Sequence, residues 1–378
     1  MTFNPDTDKR KGIMFGLAYG DALGRPLEFA AAKTIDKLGT PFRKQVGINT
    51  LTHGMVTDDT QMSIAVARAI QTPGRPNAAH LTDRLVREFI RWERDPKSHT
   101  PGRAPGVTCL SAVRALRAGK HWLIASRTDS KGNGANMRVA PVALRTDWTW
   151  GEMGAVAQLQ AAITHGHATA LAAAHLTAAA VRMLLEGVAL PNEQFLDHLI
   201  AYAWDQRSRY HLDYLGHLWQ SRAFERPRPH MAQPKLPLDW WDDAAGLAPQ
   251  AKPHRTAVES PEEFIERGWD KVIETLEGIL LVTRNQKQDP CIVGGEGWVA
   301  EEALAVALHT LLCFKGDPTN ALRRAAFTRG DSDSIASITG ALCGAAYGLK
   351  AFPSHWIANL EYRRELEGLT GKLTAVAR

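Results

Sequence analysis

The stretch TRGDSDSIASITGALCGAAYG, residues 328–348, sets two carboxylates and two hydroxyls against an apolar, glycine-studded run with helical spacing. Asp331, Ser332, Asp333 and Ser334 stand where a helix would begin. Helix capping accounts for one such oxygen, and carboxylates suit the positive end of a helix dipole. The pattern recurs, however. Thr57, Asp58, Asp59 and Thr60 precede a helix starting near Met62, and Asp21 lies in GLAYGDALGRPLEF (16–29), followed by Glu28. Adjacent carboxylates repel one another unless something positive lies between them. If Asp58, Asp59, Asp331 and Asp333 converge, two divalent cations would balance their charge. The hydroxyls of Thr57 and Ser334 would then add neutral oxygen ligands of the kind magnesium or manganese prefers.

Glycine spacing points the same way. Gly16, Gly20 and Gly24 recur every four residues, as do Gly340, Gly344 and Gly348. On a helix this spacing gathers small residues on one face and admits another backbone closely.

Helical periodicity dominates the rest, as in LTDRLVREFIRWER (81–94), TALAAAHLTAAAVRMLLEGVAL (169–190) and WVAEEALAVALHTLLCF (298–314). In PEEFIERGWDKVIETLEGILLV (261–282) a capping box, Ser260 with Glu263, comes with Pro at the first helical position. Period-two β-branched runs are scarce and no βαβ rhythm appears, so the predicted fold is all-α. The break comes at about 222–260, a Pro-rich stretch with several Arg and Lys and the pair Trp240 and Trp241. It reads as an insertion within one domain spanning 1–378, because related chemistry flanks it on both sides.

Composition narrows the class. With 44% hydrophobic and 22% charged residues the chain reads as a globular protein. No apolar run follows the charged N-terminus as in a secretory leader, and none approaches the roughly 18 residues of a membrane span. Cys109, Cys291, Cys313 and Cys343 are far apart and form no CxxC pair, which argues against zinc and disulfides and predicts a cytoplasmic location. The net charge of +5 and pI near 9.0 are spread along the chain, with no nucleic-acid motif, so no nucleic-acid partner is expected.

Five motifs in order, GLAYGDALGRPLEF, TDDTQM, GNGANMRVAP, GWVAEEALAVAL and GDSDSIASITGALCGAAYG, resemble the ADP-ribosylglycohydrolase family. The resemblance covers about residues 13–350 apart from 205–260. It implies a compact all-α domain with a dinuclear centre, usually of magnesium and sometimes of manganese, at helix N-termini. By matching motif, Thr57, Asp58 and Asp59 resemble the first ligand group, and Asp331, Asp333 and Ser334 the second, where the family more often has Thr. Glu28 matches the acidic residue of a loop that gates the metals in some relatives. Asn133, Gly134, Met137 and Arg138 match a substrate loop, Gly102, Gly106 and Thr108 a second glycine-rich loop, and His165 a histidine motif near the ligand. Asp95 matches poorly and reads as a solvated loop carboxylate.

The activity implied is hydrolysis of the bond between C1″ of ADP-ribose and an acceptor side chain, reversing ADP-ribosylation. An ADP-ribosylated protein is the expected partner and ADP-ribose the product. Glycoside cleavage builds positive charge on the ribose, and glycine-rich backbone can hold a diphosphate. Glu28, Asp59 and Asp331 are the candidate acids and bases. Two other classes stay open: an immunity or binding protein that occludes a toxin, and a structural protein reusing the fold. A di-metal phosphohydrolase acting on free nucleotides is a further alternative.

Overall fold

The computed structural model describes residues 7–30, 54–188, 191–220 and 258–376, without the side chain of residue 357. The insertion expected at about 222–260, with Trp240 and Trp241, lies outside the described residues except for its last three positions. Among the described residues there are twelve helices of nine residues or more and no strand, only two isolated bridges. The all-α expectation holds.

In chain order the helices are α1 (Thr7–Gly24), α2 (Asp58–Ile70), α3 (Ala78–Arg94), α4 (Val107–Arg117), α5 (Trp150–Ala162) and α6 (Ala168–Glu186). They continue with α7 (Glu193–Gln206), α8 (Pro261–Leu280), α9 (Ala300–Cys313), α10 (Pro318–Ala326), α11 (Ser332–Tyr347) and α12 (Arg363–Val376). Local chemistry sets several starts. Thr149 and Glu152 form a reciprocal capping box at α5. At α8, Ser260 accepts from Glu263 N at 3.1 Å, but the Glu263 carboxylate reaches back to Glu259 N at 2.6 Å. The box expected there is therefore closed one residue early.

The core is built around α6, buried from Ala168 to Leu185. By length and composition this helix could cross a membrane, but all of its apolar window is buried within the protein. Its many alanines let neighbours approach: a Cβ on Gly268 of α8 would overlap the Ala168 backbone. His175, also in α6, bonds Gln158 of α5 and Tyr202 of α7 at 3.2 and 2.8 Å, with Trp269 of α8 edge-on at 5.2 Å.

The packing that positions the site is α1 against α11. A Cβ on Gly16 would overlap Gly340 O, one on Gly20 would overlap Ala336 O, and one on Gly24 would overlap Asp333 Cα. Gly344 meets Gly12, which extends the stripe one turn before Gly16. The two helices run antiparallel, so the C-terminal end of α1 meets the first turn of α11. Gly348 ends the stripe, close to Gly12 and Asp8 of α1, and at φ +81° it also ends α11, in the left-handed region open to glycine.

Candidate active site

Capping does not explain the acidic pairs. At α2, Thr57 is the N-cap and accepts from Asp59 N at 3.3 Å, which leaves the carboxylates of Asp58 and Asp59 with no capping role. At α11, Asp331 is the N-cap; Ser334 N–H and Oγ lie near its carboxylate without a full-length capping bond. Asp333 accepts from the adjacent Ser334 N, at 3.0 Å.

The structure brings these two helix starts together. Ser334 Oγ donates to Asp59 Oδ1 at 3.3 Å. Asp333 lies within hydrogen-bonding reach of Asp331 and of Glu28, which the turn after α1 places beside it. All six carboxyls of the cluster, Asp21, Glu28, Asp58, Asp59, Asp331 and Asp333, are buried. Burial raises every pKa, and the neighbouring negative charges add to it for most. Glu28 is pushed up to about 8, by burial and then by Asp331 and Asp58. Asp58 is raised to about 7, mainly by burial, against the opposing bond from Gly106 N.

Asp21 is the member whose role the sequence did not disclose. Its carboxylate accepts from Thr57 N at 2.8 Å, from Thr60 N at 3.0 Å and from Thr60 Oγ1 at 2.5 Å. It thereby satisfies donors that the first turn of α2 leaves open.

Both glycine-rich loops abut the cluster. Gly106 N donates to Asp58 Oδ2 at 3.2 Å, and Asn133 Nδ2 to Asp331 Oδ2 at 3.4 Å. Met137 Sδ lies 3.8 Å from Ser334 Oγ. Thr108 Oγ1 pairs with Ser130 Oγ at 3.0 Å, tying one loop to the other. Gly102, at φ +82°, lies against Arg25. Gly134 is packed so tightly that a Cβ would press on Cys109 Sγ and His165 Cε1.

Arg138 and His165 lie beneath this loop. The Arg138 guanidinium donates to Gln160 Oε1, Gln160 O and Thr164 Oγ1 at 2.7–2.8 Å and stacks on Phe89 at 4.4 Å. His165 is held by Thr164 Oγ1 at 2.8 Å, and burial pushes its pKa down to about 3, so it is neutral. Both residues support the loop. Asp95 is an exposed cap, accepting from Lys97 N.

A third loop, residues 295–299, overlaps the start of the GWVAEEALAVAL motif, but none of its residues was given a site role in the sequence, although Gly295 and Gly297 were a signal. Glu296 O accepts from Asp331 N at 2.8 Å, and Trp298 O from Asn133 N at 3.1 Å. It joins the acidic cluster to the substrate-type loop.

The donor set suits hard cations. Among the described residues no full-length hydrogen bond reaches the buried Asp59 Oδ2, although the Ser337 hydroxyl lies near the carboxylate, and no basic side chain is among the leading influences on any of the six carboxyls. Among the described residues, no three His, Cys, Asp or Glu side chains form a ready-made chelate. The carboxyls meet as close pairs, which a cation would have to draw in around itself. A groove of about 860 Å³, lined by residues such as Asn77, His121, Trp122 and Tyr214, shares none of these residues.

Comparisons with known proteins agree with this arrangement of motifs. The family model described as ADP-ribosylglycohydrolase matches residues 4–378. The chain is 25% identical to the ADP-ribosylarginine hydrolase Tri1 of Serratia proteamaculans, over 98% of this chain and 80% of that one. It is 24% identical to the ADP-ribosyl-[dinitrogen reductase] glycohydrolase of Rhodospirillum rubrum, over 95% and 92%. To the ADP-ribosylhydrolase ARH3 of Bos taurus it is 25% identical, over 85% and 78%. A solved ADP-ribosylglycohydrolase-related protein complex shares the fold, with a TM-score of 0.61 at 22% identity over 98% of this chain and 99% of that one. The chain belongs to the ADP-ribosylglycohydrolase family of hydrolases.

Proposed function

We infer that this chain removes ADP-ribose from a modified protein by hydrolysing the bond at C1″, with divalent cations held by Thr57, Asp58, Asp59, Asp331, Asp333 and Ser334. The observation that carries the reading is the pairing of α2 and α11: adjacent carboxylates from both helix starts are buried together, with no basic side chain among the leading influences on them. When bound, magnesium or manganese supplies positive charge at the ribose and makes water more acidic.

The chain's own residues do the rest. Asp21 fixes the start of α2, and the Gly20–Ala336 and Gly24–Asp333 contacts fix α11 beside it. Asn133 and Gly106 orient Asp331 and Asp58. The glycine-rich backbone around them can lie against a diphosphate. Glu28 stands outside both helix starts and is the carboxyl best placed to exchange a proton with the departing acceptor. The relatives named for ADP-ribosylarginine, dinitrogen reductase and ADP-ribosyl hydrolysis support a protein-linked substrate.

The test is ADP-ribose released from proteins modified at known linkages, with magnesium, with manganese and with a chelator. Release that survives the chelator unchanged would contradict the cation requirement. No release from any linkage would contradict the hydrolase reading.

A further inference from the structure

The net charge of +5 is less even than it first reads. Residues 71–120 hold ten Lys and Arg against four Asp and Glu, which leaves the rest of the chain close to neutral. On α3 the spacing sorts these charges. Leu81, Leu85, Phe89 and Trp92 are buried in the core, while Arg84, Arg87, Arg91 and Arg94 recur at steps of three and four along another side. A basic face of this kind draws in acidic partners.

Beside the stripe runs a groove of about 740 Å³ between α2, α3 and the start of α12. Ile64, Ala65 and Trp92, all buried, make its floor. Four arginines and a lysine line it against two acids, Asp95 and Glu365. Part of that charge has no partner inside the protein. Arg68 pairs with Glu88 and Glu365, and Arg91 lies 3.8 Å from Glu88. Arg87 and Arg94 are exposed and make no ion pair among the described residues.

The groove is tied to the acidic cluster by two elements. Gln61, Ala65 and Arg68 continue the stripe of α2 that starts at Asp58, and at 1.5 Å per residue it reaches Arg68 about 15 Å further on. Trp92 Nε1 donates to Gln61 Oε1 at 3.1 Å, and Gln61 Nε2 to Tyr362 Oη at 3.2 Å, which fixes the floor. The loop after α3 is the second link. Arg103 donates to both Glu361 oxygens at 2.7 Å and to Val56 O, and three residues on Gly106 N holds Asp58.

The lining fits an acidic peptide better than a nucleic acid. A nucleic acid brings a phosphate at every step and bases that stack on aromatic faces. Here Glu88, Asp95 and Glu365 stand among the cations, Trp92 is buried, and Lys97 lies over the Tyr362 ring at 5.7 Å. A peptide can set carboxylates on the arginine forks and place its other side chains between them.

Resting on the hydrolase reading above, we propose that this groove docks an acidic segment of the modified protein, while its ADP-ribosylated side chain reaches the cluster at the start of α2.

The first arm of the experiment titrates the full chain into fluorescein-labelled decaglutamate, decaglutamine and decathymidylate, read by anisotropy. Decaglutamate should bind, decaglutamine should not, and decathymidylate should bind at least about fivefold more weakly than decaglutamate. Arg87→Glu and Arg94→Glu should each weaken decaglutamate about fivefold. Lys287→Glu, the same change of charge at an exposed position outside the groove, should change it less than about twofold. The second arm measures release from two peptides with the same ADP-ribosylated residue, flanked by glutamates in one and by glutamines in the other. The wild type should favour the first through KM, and Arg87→Glu should remove most of that preference while leaving the second within about twofold. Decathymidylate bound as tightly as decaglutamate, equal effects of Arg87→Glu and Lys287→Glu, or one common kcat/KM for both peptides would overturn the docking assignment and leave the hydrolase reading standing. Decaglutamate bound at the groove with no ADP-ribose released at any linkage would overturn the hydrolase reading alone.

Discussion

Asp21 Oδ2 accepts hydrogen bonds from Thr60 N at 3.0 Å and Thr60 Oγ1 at 2.5 Å, so the last turn of α1 is fastened to the first turn of α2. The carboxylate acts on the site through the helix it anchors. Asp21→Asn sets an amide N–H₂ among groups that already donate. It should lower stability by about 1–3 kcal/mol, measured by urea unfolding. Release of ADP-ribose should fall by more than that destabilisation explains, because Asp58 and Asp59 lose their placement. Full activity at reduced stability would show that Asp21 only braces the fold.

The α1–α11 contact yields a prediction of opposite sign at two glycines. A Cβ on Gly20 would overlap the Ala336 carbonyl, and backbone cannot turn away as a side chain can. Gly20→Ala should therefore cost about 3 kcal/mol or more, or prevent folding. Gly278, in α8, has open space where its Cβ would go. Gly278→Ala should stabilise by about 0.5–1 kcal/mol through helix propensity and unfolded-chain entropy. Chemical denaturation of the two variants beside the wild type decides it.

His175 should shape the acid limb of stability. Burial holds its pKa well below the ordinary value, aided by the His211 and Arg209 charges. Folded His175 therefore stays neutral while the unfolded chain takes up the proton below about pH 6.5. Its contribution is complete above that pH and is lost as pH falls. His175→Gln should start from lower stability but decline less steeply from about pH 6.5 to 4.5, by up to about 1.4 kcal/mol per pH unit. Parallel declines would place the acid sensitivity elsewhere.

Much of this was legible in the sequence because it repeats locally. The helical fold followed from apolar spacing, and the helix start at Ser332 from its polar residues, whereas α2 begins at Asp58 rather than near Met62 as the sequence suggested. The glycine stripes announced close approach but not which helices approach. That pairing, and the place of Gly12 within it, depends on contacts over 300 residues apart in the chain. Gly348 obeyed the spacing, meeting Gly12, and serves a turn as well. Asp21 was visible as an acid, but one carboxylate in an apolar helix does not disclose which donors it meets. Arg138 and His165 lie in motifs that read as ligand-facing, and their bonds run to Gln160 and Thr164 beneath the loop. The stacking of Phe29 on Trp298 joins two segments that no local pattern connects.

Counting the manganese bound per chain, by equilibrium dialysis of wild type, Asp59→Asn and Asp331→Asn, tests the central claim most directly. The buried Asp58 and Asp59 of one helix start, beside Asp331 and Asp333 of the other, predict about two ions for the wild type, as in paired-metal sites. Each variant should lose at least one ion while keeping its helical circular dichroism. A wild type that binds none, or variants that bind as many as it does, would contradict the account.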